Sequence, residues 1–130
     1  MSLTVSPVLL ENARTNTVAD TDFVDCIRTS LPYAYDLIAG LATEFRADER
    51  PFVDNLVPPP DEAARGQLLR AMSSDAIRGA LERHFGVTLA FQNCHRVAVF
   101  DTGARGCAEH AEFTSVRSQL LNQSPELVNC

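Results

Sequence analysis

The sequence predicts an α+β domain, three to four helices packed on a small, mostly antiparallel sheet. Three observations carry this reading. Residues 74–86 have the apolar period of a helix, with start and stop signals that agree. Residues 87–101 switch to a period of two and then to a continuous apolar run. Residues 22–46 hold an apolar stripe at helical spacing.

The helix over 74–86 repeats Ile77, Ala80, Leu81, His84 and Phe85 at steps of three and four, so these side chains share one face. Ser74 caps its start through the hydroxyl, and Asp75 in the first turn complements the helix dipole. Arg83 and His84 occupy the last turn, and Gly86 follows at the position that favours positive φ. After Gly86, Val87, Leu89 and Phe91 point one way while Thr88, Ala90 and Gln92 point the other. The run Arg96 to Asp101 is apolar from Val97 to Phe100, the pattern of a strand buried on both faces. Asn93 and Cys94 turn the chain between the two runs; one long strand with a bulge near Asn93 is the alternative.

In chain order, residues 1–20 read as a flexible N-terminal segment, in which Thr4 to Leu10 is a candidate edge strand weakened by Pro7. Residues 21–130 read as the single domain. From Asp22 to Arg46 the inward positions are Phe23, Ile27, Leu31, Ala34, Ile38, Leu41 and Phe45. Pro32 breaks this stripe, and a second helix starts there with Ser30 as its N-cap. Ala47 to Pro60 is a connection stiffened by Pro58, Pro59 and Pro60, packing Phe52, Leu56 and Val57 on the core. Asp61 to Met72 is a further helix with Leu68, Leu69 and Met72 inward, and it is free to continue through Ser73 into the next. Thr102 to Gly106 is a turn, and Glu112 to Asn122 is a last helix with Phe113, Val116 and Leu120 on one side. The tail packs through Leu127 and Val128. Two strands alone are marginal, so the sheet is completed by the N-terminal segment or by a second chain. The second option predicts a homodimer built on a strand edge or on the face of the 22–46 helix.

The totals bound the function. A chain of 130 residues suits one domain whose core needs neither disulfide nor metal. All eleven basic residues are arginine, which with abundant alanine marks a GC-rich bacterial genome. A net charge of −6 argues against nucleic acid or an anionic membrane as partner. No stretch approaches the roughly 18 apolar residues of a membrane span, and no basic region precedes the short apolar run at the N-terminus. A cytoplasmic protein is expected. Cys26, Cys94, Cys107 and Cys130 contain no CxxC spacing and read as reduced thiols.

The densest chemical cluster is Cys94, His95, Cys107 and His110, four zinc-type ligands within seventeen residues. Adjacent residues on an extended chain point to opposite faces, so Cys94 and His95 need a bulge to ligate together. Without one, Cys94 is a small core side chain, His95 ends a strand, and Cys107 and His110 are loop positions. A Cys/His nucleophilic pair also needs an orienting group and an oxyanion hole, which spacing does not supply. There is no glycine-rich phosphate loop, GxSxG or HExxH. His84 lies on the apolar helix face, where a buried, hydrogen-bonded histidine is expected. With no catalytic set recognisable, the sequence points to a small accessory or regulatory protein that binds another protein or itself, with no cofactor. The first alternative is a ligand-binding protein or enzyme with a pocket between helices and sheet lined by Tyr33, Tyr35, His84 and His95. The second is a zinc-binding module using the Cys94–His110 cluster.

Overall fold

Side-chain caps mark where four of the helices begin. In the computed structural model, which describes residues 2–93 and 95–122, the Ser6 hydroxyl accepts the Leu9 N–H at the start of α1 (Pro7–Arg14). Asp61 accepts from Ala64 to open α4 (Glu62–Ser73), and Ser74 from Ile77 to open α5 (Asp75–Phe85). Ser115 accepts from Ser118 to open α7 (Val116–Leu121). Each cap satisfies one of the amide donors that a first turn leaves over. The other helices are α2 (Asp20–Ser30), α3 (Pro32–Ala47) and α6 (Cys107–Phe113). Gly86 ends α5 at φ 67°, in the left-handed region, as its place in the sequence requires.

The N-terminal segment is therefore helical from Pro7 to Arg14 and not an edge strand, because Ser6 and Pro7 form a cap and a pre-set first turn. The stripe over 22–46 does break at Pro32, but Ser30 is not the cap. Its hydroxyl accepts the Thr4 N–H at 2.8 Å, tying down the N-terminal segment. The first turn of α3 is capped from another helix: Gln67 Oε1 accepts the Tyr33 N–H at 2.7 Å and the Ala34 N–H at 3.3 Å.

Three antiparallel strands form the sheet, β1 (Phe52–Asp54), β2 (Thr88–Gln92) and β3 (Arg96–Phe100), in the order β1-β3-β2. The third strand thus comes from the segment read as a connection; three residues are too few to show a period. Asn55 ends β1 by folding its side chain into the ladder, its Oδ1 accepting the Val97 N–H at 2.7 Å and its Nδ2 donating to the His95 carbonyl at 2.7 Å. Between β2 and β3 the chain turns with Asn93 at φ 59°, so the pair is a hairpin and not one bulged strand.

Helices cover both sheet faces. One face carries Val53, Leu89, Val97 and Val99 against Ile27, Leu31, Ile38, Leu68 and Leu81 of α2 to α5, the main core. The other carries Phe52, Ala90, Ala98 and Phe100 against Phe113 of α6. Several inward assignments fail, because a helical period or an apolar residue in a connection does not say which positions the neighbouring elements cover. Leu56 and Val57 are exposed while Pro59 is buried, Leu69 is largely exposed, and His84 is exposed at the end of α5. Ser74 adopts an extended conformation, so α4 and α5 are separate helices. The helix read over 112–122 is two, α6 and α7, interrupted at Thr114 and Ser115. The expected packing of Leu127 and Val128 lies outside the described residues. No helix among the described residues is long and apolar enough to cross a membrane.

Candidate functional site

The second sheet face is covered by two short helices, and how they are held decides what they leave open. Gly106 starts α6 at φ 76°, and a Cβ there would meet the Pro51 carbonyl oxygen at 2.8 Å, so only glycine lets the helix begin this close to β1. Arg105 donates to the Arg50 carbonyl at 2.7 Å and lies over the Phe45 ring, fixing the same loop. From this anchor α6 lays Phe113 on Phe100 and Phe52, with ring centroids 5.8 and 6.2 Å apart, while Phe52 stacks on Phe100 at 5.1 Å. Ala90 and Ala98 keep the sheet low beneath these rings.

α7 is held differently, through polar groups. Gln92 is fully buried; its Nε2 donates to the Phe113 carbonyl at 3.0 Å and to the Ser118 hydroxyl at 2.8 Å. Asn122 donates to the Ser118 carbonyl, and Asn93 donates to the Asn122 carbonyl, both at 2.8 Å. Arg96 donates to the Asp54 carboxylate at 2.6 Å and to Gln92 Oε1 at 3.0 Å, with its guanidinium 5.1 Å from the Phe113 ring centroid. The Arg96–Asp54 pair is mostly buried, so each charge there is neutralised by the other.

Of α7 only Ser118 is buried, so the helix leaves its apolar residues in water beside Arg117 and Gln119: Val116 is 77 % exposed, Leu120 68 % and Leu121 66 %. Two open cavities flank it. One, of about 450 Å³, lies over the aromatic floor of Phe52 and Phe113 and is bounded by Arg96, Glu109, Glu112 and Asn122. The other, of about 310 Å³, runs between Val116, Leu120 and Phe91 at the outer strand β2. On that strand the Leu89 N–H is taken by the Glu82 carboxylate at 2.9 Å, a charged side chain occupying a ladder position on the sheet edge.

The residues singled out from sequence do not converge. Tyr35 and His84 are neighbours, with ring centroids 6.4 Å apart, both beside Phe85. Tyr33 sits in the first turn of α3, its hydroxyl pKa raised by burial and by the nearby Asp61 carboxylate. His95 lies in the β2–β3 turn; burial, then the positive charges of Arg96 and Arg65, push its pKa below the usual 6.5. Its Nδ1 and the Arg65 Nε are buried without a hydrogen-bond partner among the described residues. None of these four residues lines a cavity described here. Cys107 and His110 are one turn apart on α6 and share a small cavity of about 210 Å³ with Thr88, Phe100 and Asp101. His110 meets Phe100 edge-on at 4.9 Å. Cys94 lies outside the described residues, and among those described no three His, Cys, Asp or Glu side chains are placed to hold a metal ion.

Sequence reasoning missed Gln92, Ser118 and Arg96, which decide the orientation of α7. The one available signal was the alternation that puts Gln92 on the same sheet face as Ala90.

The chain belongs to the NucS shadow ORF family, whose model matches residues 1–130. No curated protein and no solved structure matches it.

Proposed function

We propose that this chain is a small accessory or regulatory protein that acts by binding another protein, through the apolar side of α7 and the cavities beside it. The observation that carries this is how α7 is held: it is attached by hydrogen bonds and shows water its Val116, Leu120 and Leu121 side chains. Burying apolar surface is the main favourable term in association, and contiguous exposed patches mark interaction sites.

The family's name describes a reading frame in the shadow of NucS, which raises the question of whether a protein is selected here. Agreement between levels supports a selected product. Four side-chain caps, the αL glycine after α5, prolines at the first positions of α1 and α3, and a buried aliphatic core all favour one fold.

Nucleic acid is not the proposed partner. The family's short name carries the letters KH, also those of a module that clamps a nucleic-acid backbone with a GXXG loop. A GXXG occurs at Gly103 to Gly106, but it is the strand-to-helix loop before α6, with Arg105 on the Arg50 carbonyl and the Phe45 ring, and the chain's net charge is −6. The proposed compartment is the cytoplasm, consistent with Cys26 as a buried free thiol that donates to the Thr4 carbonyl at 3.3 Å.

The test places a photo-crosslinking residue at Leu120 of the full chain, expressed at its native level in its own cells, with Glu49 as the comparison position. A discrete adduct with a second protein at 120 and none at 49 is expected. No translated product, equal adducts at both positions, or only an adduct with the chain itself would each overturn the reading.

A further inference from the structure

We propose that the cavity over Phe52 and Phe113 takes a basic, amphipathic segment of a partner protein, with an arginine or lysine side chain in the cavity and the segment's apolar residues on α7. This rests on the protein-binding reading above and adds the chemistry of the partner. The floor is aromatic, suited to the methylene stem of a long basic side chain. The rim carries two carboxylates. Glu109 has no ion pair among the described residues, and Glu112 meets only Arg117, a pair that is largely exposed and therefore weak. The cation that also lines the cavity does not oppose the ligand, because Arg96 is neutralised by Asp54. At about 450 Å³ the cavity has the capacity of a ligand site. Across α7 from it, Val116 and Leu120 line the second cavity with Phe91 and offer the apolar contact that a single basic side chain lacks. A second copy of this chain, also carrying −6, and an anionic lipid surface both fit this rim less well.

The probes are two synthetic amphipathic helices of roughly 18 residues, long enough to form an apolar face, one of leucine and lysine and one of leucine and glutamate. Binding to the full chain is read by fluorescence anisotropy. The lysine peptide is expected to bind and the glutamate peptide not. E109Q/E112Q should weaken binding on the order of tenfold, as two charge-assisted contacts are lost. D36N/E49Q removes the same formal charge from exposed sites elsewhere and should leave binding unchanged. V116S/L120S, which alters exposed positions only and should fold normally, is expected to weaken binding as well. Equal loss in D36N/E49Q, no loss in E109Q/E112Q, or binding of the glutamate peptide would overturn the proposal. So would partition onto phosphatidylcholine vesicles that V116S/L120S abolishes, since α7 would then serve a lipid surface. The crosslink at 120 is independent of peptide charge, so a discrete adduct there with any of these results rejects the ligand class and keeps the protein-binding reading.

Discussion

The two faces of the sheet are held by different physics. The face under α2 to α5 is aliphatic, with Ile27, Leu31, Ile38, Leu68, Leu81, Val97 and Val99 fully buried, and it is specified by area and shape. The face under α6 and α7 has a small aromatic core and is otherwise pinned by named hydrogen bonds from Gln92, Asn93, Arg96 and Asn122. The first arrangement carries stability. The second carries little apolar area, yet it fixes orientation, because a hydrogen bond has direction and hydrophobic burial does not. That difference lets one side hold the fold while the other keeps apolar side chains in water.

The comparison is broken most severely on the aliphatic side. Ile38→Ala removes a fully buried side chain and should cost about 2–5 kcal/mol. Urea unfolding followed by circular dichroism should show one transition, displaced as a whole; two separated transitions would mean that the faces fold independently. Gln92→Ala attacks the other face. It removes the donor shared by the Phe113 carbonyl and the Ser118 hydroxyl, leaving Ser118 with Asn122 alone, and should cost about 1–3 kcal/mol. Hydrogen exchange should speed up in α6 and α7 while α3 to α5 keep their protection, and uniform acceleration would refute the division of labour.

The smallest effect is a pH dependence at the turn between the faces. The His95 pKa in the folded protein lies below 6.5, so above pH 6.5 the residue is neutral whether folded or unfolded. As the pH falls below 6.5 the unfolded chain takes up the proton first. Stability is therefore lost until the lower folded pKa has been passed, and it changes no further below that. His95→Gln should remove this component, seen as a flatter midpoint of urea unfolding across that range; an unchanged slope would mean that the desolvation of His95 is not felt.

The elements legible in the sequence are those whose signals are local. Ser74, Asp75 and Gly86 bracket α5 as read, Pro32 divides α2 from α3, and alternation in β2 put Leu89 and Ala90 on opposite faces. Val97 to Phe100 is buried throughout, as a continuous apolar run implies. The site was less legible. Tyr35 and His84 do come together, but at the surface, and Tyr33 and His95 have separate surroundings. For Glu112 to Asn122 the reading put Phe113, Val116 and Leu120 on one side of one helix, but the break at Thr114 and Ser115 leaves Phe113 buried in α6 and Val116 and Leu120 exposed on α7, because a helical period holds only while the helix is continuous.

By itself, then, the sequence determined the α+β class, the bounds of α5, the break at Pro32 and the pleat of β2 and β3. Each follows from interactions within a few residues of the chain. Only the tertiary structure decided the third strand, the cap of α3 and the attachment of α7. These depend on partners distant in the chain: Asn55 with Val97, Gln67 with Tyr33, Gln92 with Ser118. A hydrogen bond between such residues leaves no period in the sequence, since what selects it is the need of a buried polar group for a partner once the chain has folded.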